Sequence, residues 1–448
     1  MSAMSLPRPP HMSGRPLIGN ALEFLSRPKA VIKRGLQQHG RVFALRLGFK
    51  QVVVGIGPEY HKIFFEETDK LLSIREAYPF LEGLFGERLY FLAEHEEYKA
   101  QRAVILSGFH SKRMKVFAKA IMQETSEFMD RLGWRGEVDL TPTLGPVVMA
   151  GSTRAFLGDE FRDNLGVLFF ESYRELMDGV DYVLPYWLPL PRFIRSRKAR
   201  KRIQDMLVPM IADRRVNPRG LDDFFQILVE GLHADGRPYS DSTIANFLMI
   251  LIMAGHEATT AHLAWTLIDL LQNPKAMRSI MEEQNAIWGD GYELAPEYFL
   301  KNLSQLDRAL KETERIHPVT RILARVAVAP LDFGGYCVPK GSVVMVCPSL
   351  AHRLPEIFPD PDYYDLERFS PERQEDAKPY SLIGFGGGPH HCAGIGFARL
   401  HMKLTLTMLL RRYEFTLLDE PKSARGAGTD WPASPCRVRY VRRDRLPQ

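Results

Sequence analysis

From residue 59 to about residue 310 apolar positions recur at helical spacing, and the segment predicts a mainly α-helical body interrupted by loops. The strongest signal begins after Ser240, a favourable N-cap, and runs to Gln272, where Asn273-Pro274 stops it. Its 32 residues at ~1.5 Å each give roughly 48 Å, enough to cross a whole domain. Phe247 to Gly255 is apolar on every side, which implies deep burial. Ahead of the helices, Val42–Leu47 and Val52–Ile56, with Gly48 between them, predict a strand pair. The three prolines of Leu184–Pro191 exclude a regular helix there. After residue 320 the pattern changes to short β-like runs, Ala324–Ala329 and Val343–Val346, separated by Gly and Pro. Pro355–Pro379 reads as irregular, a length uncommon unless functional. A last helix begins near Ala393. The fold class is mainly α with a smaller β region. With no internal repeat and no linker, a proline-rich segment 1–20 precedes a single domain over 21–448.

Composition changes this picture little. At 45% hydrophobic and 25% charged the chain is ordinary for a globular protein. A core of this size needs no disulfide or structural metal. The four cysteines form no C-x-x-C, which excludes a zinc ribbon and a thioredoxin-like motif and fits a reducing compartment. Cys337, Cys347 and Cys436 read as small buried hydrophobes. The longest wholly apolar run, Phe247–Ala254, is far shorter than the ~18 residues of a span, and the N-terminus lacks an apolar signal core. A cytoplasmic protein with no transmembrane anchor is expected. The net charge is +5, and the basic run Arg192–Arg202 reads as a solvated helix face. No recognition motif accompanies it, so no nucleic-acid partner is expected.

The chemistry concentrates in Phe385-Gly386-Gly387-Gly388-Pro389-His390-His391-Cys392-Ala393-Gly394. Consecutive glycines let the backbone approach a flat ligand. A cysteine just ahead of a helix meets free N–H groups and the positive dipole end, which favour a thiolate. A thiolate facing a glycine-lined slot suits axial ligation of a heme iron.

This segment resembles the heme-binding signature of the cytochrome P-450 superfamily, F-x-x-G-x-x-x-C-x-G. Phe385, Gly388, Cys392 and Gly394 fill its fixed places. The resemblance implies heme b (iron protoporphyrin IX) with Cys392 on the iron, between the long central helix and the cysteine-loop helix. Other motifs follow in the family's order. Glu312 and Arg315 match its E-x-x-R and stand one helical turn apart, and Arg368 matches the third member of its buried triad. That triad is implied to serve folding and heme incorporation. Ala254-Gly255-His256-Glu257-Ala258-Thr259-Thr260 resembles the oxygen-activation motif, with Ala254 and Gly255 making room for O2 and Glu257 as the acid. Alanine (Ala258) stands at the usual threonine place, and hydroxyls follow at Thr259 and Thr260. For the heme propionates the resemblance implies Arg102, with Lys99 as the alternative, then Arg325 and His390.

The resemblance extends to the sterol 14α-demethylase-like bacterial branch through Tyr78-Pro79-Phe80, Leu84-Phe85-Gly86 and Phe156–Arg162. That branch implies a pocket lined by Tyr78, Phe85, Ala258, Arg321, Ile322 and Leu323. Arg321 either anchors a substrate carboxylate or points to solvent, and Tyr182–Pro191 is a candidate access lid. Two departures count against demethylation itself: Glu257-Ala258 replaces His-Thr, and Leu92 replaces an aspartate. The function implied is a monooxygenase using O2 on a steroid, terpenoid or similar lipid. Electrons would come from ferredoxin and ferredoxin reductase or a similar redox partner, because the chain has no flavin or iron–sulfur motif. The alternative is a heme-thiolate peroxygenase, isomerase or dehydratase needing no external reductant, which Ala258 favours. A non-catalytic heme sensor ranks third.

Overall fold

The long helix forms where its pattern places it, over Asp241–Gln272. Ser240 Oγ caps it by accepting the N–H of Thr243 at 3.1 Å. The computed structural model describes residues 3–181, 184–220, 223–289, 303–424 and 428–443. Within them the long helix packs against the helices Leu140–Leu157, Pro191–Val216, Ser304–Ile316 and Ile395–Arg412. It is long and apolar enough to cross a membrane, but 67% of its most apolar window is buried inside the protein. A helix apolar all round is thus accounted for as the core of a large domain.

Ten strands occur among the described residues: β1 Val42–Leu47, β2 Lys50–Gly55, β3 Leu72–Ser73, β4 Arg135–Asp139, β5 Leu323–Ala327, β6 Leu331–Asp332, β7 Cys337–Val338, β8 Val343–Val346, β9 Tyr413–Leu417 and β10 Arg437–Arg442. The main sheet has the order β1-β2-β8-β5-β3, and a second sheet runs β4-β10-β9. The β1–β2 pair is antiparallel and turns through Gly48 at φ +62°. Strand alternation in β5 sends Ala324 and Val326 to one apolar cluster and Leu323 and Ala327 to another, with Arg325 on the latter side.

The described part of segment 1–20 is stitched to this sheet. Met12 is buried and donates its N–H to Ala44 O at 2.8 Å, while Cys337 N–H reaches Pro7 O at 2.9 Å. Cys337, Cys347 and Cys436 are free and buried, as the sequence predicts.

The last helix starts at Ile395 rather than near Ala393, because Gly394 takes the N-cap place. The stretch 355–379 is irregular apart from a short turn over Leu366–Phe369. Side chains hold it instead. Arg315 donates to Pro361 O at 2.6 Å and Tyr363 O at 3.2 Å, and Arg368 donates to Asp360 O at 2.6 Å and to Pro359 O. Both guanidiniums also meet Glu312. Arg315 Nε lies 2.7 Å from Oε2, and Arg368 Nε lies 3.2 Å from Oε1. All three side chains are at most 1% exposed. Arg368 has a further partner, Glu375 at 2.9 Å, for which the sequence offered no signal.

Candidate active site

The cysteine loop is built on backbone conformations that favour glycine. Gly386 and Gly388 have φ of +76° and +57°, and a Cβ on Gly387 would stand 2.8 Å from the Phe65 ring. Cys392 N–H donates to Phe385 O at 2.8 Å and closes the loop. Cys392 retains accessible surface although protein atoms crowd it. Burial pushes the thiol pKa up, against the Gly394 N–H and the Arg102 guanidinium, which lower it; Glu314 raises it further. The Gly394 N–H at the helix start acts in the expected direction, and burial outweighs it. A bound metal cation would supply the missing stabilisation.

The middle of the long helix crosses this loop. His262 lies 6.2 Å from the Phe385 ring, and a Cβ on Gly255 would meet Phe397 of the cysteine helix at 3.9 Å. Ala254 and Ala258, one turn apart, are exposed, whereas His256, Thr259 and Thr260 between and beside them are buried. Thr259 is 2% exposed, with no hydrogen-bond partner for Oγ1 among the described residues. One step along a helix turns a side chain by ~100°, which separates Thr259 from the face of Ala258. Glu257 accepts a hydrogen bond from Tyr173 OH at 3.1 Å. Burial raises the Glu257 pKa, and Tyr173 partly offsets it. Sequence reasoning missed Tyr173, 84 residues away along the chain.

Besides Arg399, which stacks over the Phe385 ring, Arg325 and Arg102 near the loop have no acidic partner among the described residues. Arg325 is 4% exposed, and burial lowers its pKa. It donates from Nη1 to Ala324 O at 2.7 Å and lies 4.8 Å over the Phe64 ring, while its Nε has no partner. Arg102 donates to Tyr90 OH at 3.1 Å, Tyr98 OH at 3.3 Å and His391 O at 2.7 Å. A buried cation without an anion is costly. A heme, with iron for the sulfur and two carboxylates for the arginines, matches this donor set.

Lys99 does not share that position. It is exposed and pairs with Glu96 at 3.0 Å. His390 already has an acid: its Nε2 lies 2.6 Å from Asp69 Oδ2, and its ring stacks on Tyr98 at 4.2 Å. Burial pushes Asp69 up, but the hydrogen bonds from His390 and His95 prevail and leave its pKa low. Burial lowers the His390 pKa. Asp69 carried no sequence signal.

The predicted pocket residues are not brought together as one set. Tyr78 OH accepts the Ala324 N–H at 2.9 Å. Phe85 is 0% exposed and belongs to the main core, because its helix turns the ring inward. Arg321 neither reaches solvent nor stands free: it pairs with Asp430 at 2.6 Å and donates to Ala424 O at 2.6 Å. Ile322 borders an open cavity of about 400 Å³ with Pro28 and Lys29. Leu323 packs half-buried within β5. Of the candidate lid, Tyr182 and Val183 lie outside the described residues, while Tyr186 is anchored to Ser196 Oγ at 2.9 Å and Trp187 is exposed.

The sequence profile of the family described as Cytochrome P450 matches residues 7–428. A sterol 14alpha-demethylase of Mycolicibacterium vanbaalenii is 34% identical over 440 residues, covering 95% of this chain and 96% of that one. A sterol 14alpha-demethylase of Mycobacterium tuberculosis is 32% identical, covering 99% of each. Among solved structures, a retinoic acid bound cyanobacterial CYP120A1 superposes with a TM-score of 0.86 at 27% identity, over 98% of this chain and 100% of that one.

Proposed function

This chain belongs to the cytochrome P450 family and is a monooxygenase with a heme-iron cofactor, and from that premise we propose that it oxygenates a bulky lipophilic substrate of steroid or terpenoid type. The cofactor is heme b with Cys392 on the iron. The electrons come from a ferredoxin and its reductase or a similar partner, in the cytoplasm. One observation carries the reading: the glycine-built loop presents an exposed Cys392 beside Arg102, a guanidinium that has no acid among the described residues and donates to His391 O in the same loop. The substrate class is supported by relatives named as sterol 14alpha-demethylases and by a structural neighbour that holds retinoic acid.

When bound, the heme supplies O2 activation. The chain's own residues do the rest. Arg102 and Arg325 would hold the propionates, with His390 fixed nearby by Asp69. Phe385 and Gly394 frame the thiolate. Ala254 and Gly255 keep the long helix clear of the oxygen site. Leu323 on β5 and Tyr78, which accepts the neighbouring Ala324 N–H, contribute apolar wall, and the exposed Ala258 offers the long helix's side of the cleft. Glu312, Arg315 and Arg368 hold the loop's scaffold.

A screen of lipids by shift of the Soret band tests the substrate reading. Steroids or terpenoids should shift the band, and azoles with large apolar tails should bind tightly. A spectrum perturbed only by small polar molecules refutes it.

Proton delivery is a second test. Ala258 has no donor, so ordered water or a substrate hydroxyl bridges to Glu257, at little free-energy loss where polar partners exist. Glu257→Ala should then raise peroxide leakage per NAD(P)H far more than Thr259→Ala, and Ala258→Thr should improve coupling for substrates without a hydroxyl. Equal damage from the two alanine variants would make Thr259 the working alcohol. Turnover on peroxide, or with no reductant at all, would favour the peroxygenase, isomerase or dehydratase reading that Ala258 supports.

A further inference from the structure

Glu314, inside the E-x-x-R turn, takes no part in the buried triad. It is 4% exposed, and no ion pair forms to it among the described residues. Its carboxyl lies beneath the start of the cysteine loop and accepts the Gly384 N–H. A Cβ on Gly384 would stand 2.5 Å from Glu314 Cγ and 2.7 Å from Oε1, so the loop is shaped to admit this side chain. The charged and titratable groups that act on it are Arg399 from the cysteine helix, Lys311 on its own helix and Asp376 from the irregular segment. Lys311 is committed to Asp376 at 2.6 Å, and the Arg399 guanidinium sits 5.6 Å over the Phe385 ring. Cys392 completes the set, because the Glu314 charge raises the thiol pKa.

An unpaired buried carboxyl is a poor structural element, since its charged form has lost water without gaining a counter-ion. Here it packs against Gly384, whose chain neighbour Phe385 accepts the N–H of the proposed iron ligand Cys392 at 2.8 Å. Coupling of this kind is reciprocal: if negative charge on Glu314 disfavours negative charge at Cys392, added negative charge there must raise the proton affinity of Glu314.

We propose that Glu314 is a redox-linked proton site, taking up one proton as an electron enters the thiolate-bound iron. The electron comes from the external donor protein and the proton from solvent. One O–H bond forms on the Glu314 carboxylate, and no bond at the iron breaks. Charge beneath the loop is thereby neutralised in the reduced protein. This inference rests on Cys392 as the iron ligand.

Burial raises the Glu314 pKa to about 7, with Arg399, the Gly384 N–H and Lys311 opposing. Below that pH both redox states hold the proton and the midpoint potential is flat. Above it, up to the higher pKa of the reduced state, the potential falls with pH at up to ~59 mV per unit, the equivalent of tenfold for one electron. Potentiometric titration of the heme-loaded protein across this range reads the slope. Glu314→Gln should abolish it and Glu314→Asp should retain it. Arg399→Gln should move the window to higher pH, an arm that stands even if Glu314→Gln fails to load heme. A flat wild-type profile, an unchanged slope in Glu314→Gln or an unmoved window in Arg399→Gln overturns the proposal. The carbon monoxide spectrum of the wild type reports separately on Cys392. If it lacks the thiolate signature, the ligand assignment has failed rather than the role of Glu314.

Discussion

Reduced Cys392→Ala under carbon monoxide should lack the strongly red-shifted Soret band that the unaltered protein gives. The expected effect is complete loss, because no second thiol can substitute. Among the four cysteines Cys337, Cys347 and Cys436 are buried, and Cys392 alone is exposed. Removal of the sulfur leaves Arg102, Arg325 and the glycine loop in place. Heme should therefore still bind in part through its propionates, with an unshifted band. Persistence of the red-shifted band would eliminate Cys392 as the ligand.

The second large effect is on folding. Glu312→Ala leaves two guanidiniums, both essentially unexposed, without their shared carboxylate. Breaking a buried pair from one side costs about 3–5 kcal/mol, a large share of the ~5–15 kcal/mol that holds a typical protein folded. Arg368 would retain Glu375, so Arg315 suffers more. Its carbonyl acceptors in the irregular stretch, Pro361 and Tyr363, would lose their anchor as well. Insoluble or heme-poor protein is expected, measured as soluble yield and as the ratio of Soret to protein absorbance. A soluble variant with full heme content would show that the triad is dispensable.

What the sequence discloses follows from how local the determining physics is. The long helix was legible because Ser240, the apolar run and Asn273-Pro274 lie in one continuous segment. The cysteine loop was legible because its glycines and its cysteine are neighbours. Partner choice was not. Arg321 finds Asp430 at a separation of 109 residues, and His390 finds Asp69 at 321. Nothing in the local pattern distinguishes such acids from solvated ones. Phe85 was ambiguous for the opposite reason: an aromatic beside a motif reads the same whether its ring faces a cleft or the core, and here it packs in the main core. Glu312 and Arg315 could be paired by spacing and Arg368 was added by the family resemblance, but Glu375 could not be placed, since its position depends on the path of an irregular chain.

The Arg321–Asp430 pair has a consequence for discrimination between ligands. A guanidinium already matched by a carboxylate offers little to another one, since any acidic guest must first evict Asp430 and strand it in a low-dielectric setting. Attraction gained by the newcomer is cancelled by what the displaced acid loses. The pair therefore leaves this edge electrically closed, with no uncompensated cation to draw in an acid. Only severing the clasp, as in Asp430→Asn, would turn the same arginine into a receptor for acids.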